Sequence, residues 1–151
     1  MTTATATRLQ HQHEVLYTLL EGRENVTVRP ASGKWSLLEN VAHLFAYQQQ
    51  FSHRVDRILA EDNPLFEAYI GDNDPLFLEA REQTPSDLLT DLSADRLYIH
   101  DRILALDEVQ LARGATHPRY GSRTLVLWTE FFLLHEAHHL YTMWKLLEEM
   151  R

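Results

Sequence analysis

With 151 residues, 44% of them apolar and 24% charged, the chain has the size and composition of one globular domain burying roughly 70% of its unfolded surface; it is too apolar to be disordered. A balance of 14 basic against 22 acidic residues leaves a formal charge of -8 with no Lys/Arg run, which argues against nucleic acid or an anionic membrane surface as partner. With no cysteine there is neither a disulfide framework nor thiolate chemistry, so metal ligands must be His, Asp or Glu; Met1 to Gln10 carries no apolar leader and no run reaches the roughly 18 apolar residues of a membrane span, so a soluble cytoplasmic domain over 1–151 is expected.

Four stretches carry helical patterning, and none shows sustained strand alternation. The first runs from about Thr7 to Glu21, with Leu9, Leu16, Leu19 and Leu20 to one side, and stops at Gly22. The second follows Trp35, where Ser36-Leu37-Leu38-Glu39 reads as a capping box. Val41, Phe45, Gln48, Ser52, Val55 and Leu59 continue it as a stripe to about Ala60. A long connection, Glu61 to Gln83, contains Pro64, Gly71, Asn73, Asp74 and Pro75. Such a length suits a functional loop or a crossover between the ends of a bundle. Thr84 then caps a third helix with Pro85 in its first turn, carried by Leu88, Leu89, Leu92, Ile99 and Ile103 to about Leu106. After a turn marked by Gly114, Pro118 and Gly121, the fourth helix spans about Ser122 to Glu149. The architecture expected is all-α: a four-helix bundle with a long crossover between helices two and three.

The last helix is apolar nearly all round, because Leu125, Val126, Leu127, Phe131, Leu134 and Trp144 do not share a face. Burial on more than one side follows, either within the chain or against a second copy, and a homodimer is the expectation carried forward.

Histidine is abundant, nine in all, so spacings must be weighed against chance. The string His135-Glu136-Ala137-His138-His139 matches His-Glu-x-x-His, which this composition would produce only about 0.05 times. Residues four apart lie one above the other on a helix, so His135 and His139 can reach one metal. A catalytic zinc takes three protein ligands and keeps an open position, and no histidine follows His139. A third ligand must come from another helix, with His43 and His100 as candidates. The helical wheel favours His100 and puts His43 roughly 130° from its stripe, as a solvated side chain.

Lys34-Trp35-Ser36 leading through Glu39 to Ala42-His43-Leu44, then His117-Pro118, Gly121 and the block His135 to His139, resemble the DinB/YfiT-like superfamily from about Leu9 to Leu147. Tyr141 stands where many members have glutamine. The resemblance implies a four-helix bundle with a long second crossover, commonly a homodimer, and a divalent metal held by three histidines. Carried across, those ligands are His43, His135 and His139. An imidazole flanking its stripe would then point into a cleft between helices, leaving the metal accessible.

Glu136 is the candidate general base, its alternative a partner for a basic side chain. His138 and His100 are read as solvated and as a core histidine, and Trp35 as an anchor at the mouth of the second helix. The expected function is a Zn2+ or Ni2+ protein with water in the open position. Its chemistry would be transfer of a low-molecular-weight thiol to an electrophile or hydrolysis of a small amide or ester. Arg113, Arg119 or Arg123 could serve an acidic thiol cofactor. The competing expectation is a non-catalytic dimeric bundle acting in stress response through protein interaction.

Overall fold

The computed structural model describes residues 1–149, and several of its helices start at side-chain caps. α1 (Thr3–His11) and α2 (Val15–Leu20) are the two halves of the first predicted helix, separated by a 3₁₀ turn over Gln12–Glu14. The turn places His13 inside the bundle, and the left-handed Gly22 (φ 67°) follows α2. α3 (Leu37–Ala60) carries the predicted capping box: Ser36 Oγ accepts from the Glu39 amide at 3.1 Å, and the Glu39 carboxylate accepts from the Ser36 amide at 2.8 Å.

The crossover is more ordered than its composition suggested. It holds a short helix, α4 (Pro75–Ala80), capped by Asp74, whose Phe77 and Ala80 pack into the core against α3. α5 (Pro85–Leu104) begins at the Thr84 cap, and α6 (Glu108–Ala112) is a single turn with its own capping box. Instead of a simple turn, β1 (Gly114–His117) and β2 (Gly121–Thr124) form an antiparallel hairpin, and α7 (Leu125–Glu149) starts three residues later than expected. Strands of four residues are too short for alternation to register in a sequence window. Glycine is required at Gly114, where a Cβ would lie 2.6 Å from the Arg123 carbonyl oxygen, and Gly121 takes φ 70° at the turn. The Phe66 amide donates to the Thr116 carbonyl at 2.7 Å and the Thr116 amide to the Pro64 carbonyl at 2.9 Å, stitching the crossover to the hairpin.

The apolar interior is divided into two clusters stacked along the bundle. One gathers Leu16, Leu38, Phe45, Phe77, Leu88 and Met143; the other gathers Leu9, Phe51, Ile58, Ile99, Trp128 and Phe132. On α3 the change comes between Ala46 and Tyr47, and on α7 between Leu133 and Leu140. Polar side chains occupy the level between them, His43 and Gln48 on α3, Arg96 on α5 and Glu136 on α7, all buried. α3 packs against α4, α5 and α7, so it is buried well beyond one stripe. α7 buries Leu125, Trp128, Phe132, Leu140 and Met143 but leaves Leu127, Leu134, Tyr141 and Trp144 at least half exposed along its outer side. Among the described residues no helix is long and apolar enough to cross a membrane.

Candidate metal centre

α3 and α7 bring three imidazoles together at the polar level. His43, His135 and His139 each offer a ring nitrogen, and these atoms all lie within 4.8 Å of one another. The Nε2 atoms of His43 and His135 are 3.1 Å apart. Nitrogens 2.0–2.1 Å from a tetrahedral zinc would be separated by about 3.3 Å, so the spacing fits a shared ion. His43 is only 5% exposed, which corrects its placement by the wheel. The wheel assumes one buried face, whereas α3 is packed on several.

Each imidazole is fixed by a different neighbour. The His139 Nδ1 pairs with the Asn40 side-chain oxygen at 3.0 Å, while Asn40 donates its amide to the Ser36 carbonyl at 2.9 Å. Because the Asn40 oxygen accepts only, the proton of His139 sits on Nδ1 and Nε2 keeps its lone pair. His43 is wedged between the Trp35 ring, 4.9 Å away, and the backbone of Gly71 in the crossover. A Cβ on Gly71 would stand 2.6 Å from His43 Nδ1, so only glycine allows this approach. His135 packs against Tyr47, with ring centroids 4.0 Å apart and the planes tilted by 39°.

Burial holds all three rings in the neutral form that ligates metals. The pKa of His43 falls to about 4, chiefly by burial and against the raising influence of Asp72 and Asp74. Burial and then repulsion from His43 take His135 to about 3 and His139 to about 2. The buried Nδ1 atoms of His43 and His135 have no hydrogen-bond partner among the described residues.

A cavity of about 460 Å³ adjoins the cluster, reached by His43 and His135 and bounded by Tyr47, Tyr69, Arg54 and the hairpin residues His117 to Tyr120. His139 instead faces a smaller cleft of about 310 Å³ with Trp35 and Asn40. The volume of the first is that of a small-molecule site.

Glu136 does not join this group. Its carboxylate is 1% exposed, ion-paired in a fork with the buried Arg96, and accepts a further bond from Gln12 at 3.0 Å. Arg96 is held in turn by Gln48, whose oxygen accepts from its Nε at 2.7 Å. The general-base expectation is therefore corrected: Glu136 faces a basic side chain inside the bundle, with both oxygens engaged and no exposure to the cavity. His100 lies elsewhere, beside His13 at the α1–α5 side, and pairs with Asp101 at 2.9 Å. Arg113 caps the end of α3 through the Ile58 and Glu61 carbonyls, and Arg123 donates to the Ser122 carbonyl. Only Arg119 of the three proposed arginines reaches the cavity.

Sequence reasoning missed Asn40, Tyr47 and Arg54. The signal was present for two of them: Tyr47 and Arg54 stand 4 and 11 residues after His43, which places all three on one side of α3.

The DinB superfamily profile matches residues 8–143. The chain belongs to the DinB superfamily. By fold this DinB-superfamily chain is similar to YfiT from Bacillus subtilis, with a TM-score of 0.86 and 19% identity, covering 99% of this chain and 90% of that one. That protein is described as a probable metal-dependent hydrolase with an unusual four-helix bundle topology. At this identity the likeness establishes the shared fold, the crossover bundle included. No curated protein matches this DinB-superfamily chain.

Proposed function

We propose that the chain is a divalent-metal-dependent hydrolase acting on a small amide or ester, with His43, His135 and His139 holding Zn2+ or Ni2+. The observation that carries this reading is the convergence of three buried, neutral imidazoles beside a cavity of small-molecule size. Three nitrogen donors suit zinc or nickel, and a metal so held would supply Lewis acidity and a nucleophile at neutral pH. The chain's own side chains do the rest. Asn40 keeps the His139 proton on Nδ1, Gly71 lets the crossover close over His43, and Trp35 with Phe77 shields the His43 ring. The description of YfiT favours hydrolysis over thiol transfer. The cavity favours catalysis over a purely interacting bundle in stress response.

The exposed stripe Leu127, Leu134, Tyr141 and Trp144 extends about 25 Å along α7 and supports the homodimer as the form in which this domain works. In the cytoplasm such a protein would draw its metal from the available pool.

Elemental analysis of protein purified without a histidine tag, compared with His135→Ala, tests the metal site. One ion per chain, lost in the folded variant, is expected. Zinc- or nickel-repleted protein should then hydrolyse chromogenic esters or amides, with the stripped protein inactive. A native protein that takes up no metal after repletion would sink the proposal, and metal-dependent turnover seen only with an added thiol would replace hydrolysis by thiol transfer.

A further inference from the structure

The cavity beside the histidines contains a charge that no carboxylate among the described residues matches. Arg8, Arg29, Arg57 and Arg96 are each ion-paired with a glutamate: Glu130, Glu39, Glu61 and Glu136. Arg54 is 6% exposed, yet among the described residues no carboxylate lies within ion-pair distance of it. Its Nη2 donates to the Glu67 carbonyl at 3.0 Å, its guanidinium lies 4.9 Å over the Phe66 ring and interacts with the Tyr47 hydroxyl, but among the described residues its buried Nε has no partner. An arginine cannot shed its proton, so a buried guanidinium without an anion is destabilising. A fold selected for stability alone would place an apolar side chain there.

The surroundings repeat the same chemistry. Arg119 comes from the hairpin to the same cavity, its guanidinium 5.5 Å over Tyr120. His117 Nδ1 accepts the Arg119 amide at 3.1 Å, which leaves the ring proton on Nε2 as a donor. Burial lowers the pKa of His117, and the charges of Arg54 and Arg119 lower it further, so all three groups bear on one space. The acidic groups near the cluster, Asp72 and Asp74, act on His43 from the crossover. Asp74 is occupied by the Tyr69 hydroxyl at 2.8 Å and by the Leu76 amide at 2.9 Å.

The geometry points to an oxyanion subsite: Arg54, assisted by Arg119 and His117, binds the carboxylate or phosphoryl end of a small molecule whose opposite end lies against His43 and His135. The substrate class is thus an acidic small molecule. The orientation relative to the histidines rests on the proposed metal chemistry; anion binding does not.

The test is an NMR titration of 15N-labelled protein, zinc-loaded and chelator-stripped, with benzoate, phenyl phosphate and the neutral isostere benzamide. An anion should bind at least about tenfold tighter than benzamide in both forms, and the Arg54 Nε–H resonance should move on binding. Which anion binds better tells carboxylate from phosphoryl recognition. Arg54→Gln should bring the preference to about one while metal content is unchanged; Arg54→Lys, which keeps the charge and loses the fork, should retain part of it. Equal binding of benzoate, phenyl phosphate and benzamide to the native protein overturns the subsite even if Arg54→Gln does not fold. So does an Arg54 resonance that stays still, a preference unaltered by Arg54→Gln, or a preference confined to the zinc-loaded form, where the anion would be sitting on the metal. Anion preference in a protein that neither holds metal nor hydrolyses would refute the hydrolase and leave the subsite standing.

Discussion

Glu136→Gln removes the charge that neutralises Arg96 at the polar level between the two apolar clusters. Both side chains are almost fully buried, at 2% and 1% exposure, so solvent cannot compensate the guanidinium left behind. Breaking a buried pair in this way costs about 3–5 kcal/mol. For a chain of this size that lowers Tm by about 6–20 °C. Arg96→Met should cost a similar amount, since it strands the carboxylate with Gln12 as its remaining partner. The double variant Arg96→Met/Glu136→Met strands no charge. It orphans the Gln48 oxygen that accepts from Arg96, so it should sit only about 1–3 kcal/mol below the native protein. Thermal and urea unfolding of the metal-free proteins, with Glu136→Met as the second single variant of the cycle, followed by circular dichroism, gives the coupling directly. The reasoning is refuted if Glu136→Gln unfolds within about 0.5 kcal/mol of the native protein, or if the double variant is as unstable as the two single losses added together. A general base would show the reverse pattern, with native stability and lost turnover.

Three further outcomes are expected. Asn40→Ala removes the acceptor that holds His139 in its ligating tautomer, and competition with a chromophoric chelator should read about 10–100-fold weaker metal binding; unaltered affinity would show that Asn40 does not orient the ring. Gly71→Ala sets a methyl 2.6 Å from His43 Nδ1, so the ring or the crossover must shift, and the same competition should show weakened binding with Tm nearly preserved. Native affinity in Gly71→Ala would mean that the crossover does not constrain His43. His13, buried among Arg96, Glu136 and Glu14, has its pKa lowered from 6.5 to about 4, first by burial and then by Arg96. The unfolded chain therefore binds the extra proton between these values. The stabilisation is complete above about pH 6.5 and is lost as pH falls toward 4, by up to about 3 kcal/mol. Urea unfolding of native protein and His13→Gln across that window should show the native protein losing more; parallel curves would contradict the assignment.

Local chemistry was legible in the chain itself. Ser36 with Glu39, and Thr84 with Pro85, mark helix starts because caps involve residues three or four apart, and the structure begins α3 and α5 at those positions. His135 and His139 are one helical turn apart, so their shared face follows from helix geometry alone. The hairpin and α4 were not legible, since both are short segments held by contacts with distant parts of the chain: Thr116 with Pro64 and Phe66, Phe77 with the core. His43 needed the resemblance, because a wheel cannot foresee a helix packed on several sides.

The four-helix layout, the starts of α3 and α5, and a pair of ring nitrogens within reach of one ion were thus determined by sequence, through interactions spanning a few residues. Which third imidazole meets that pair, which way the Glu136 carboxylate turns, and that Arg54 is enclosed with no counter-ion among the described residues were decided only by tertiary packing. Those facts depend on contacts such as Gly71 on His43, 28 positions away, and Arg96 on Glu136, 40 positions away, whose distances no local pattern encodes.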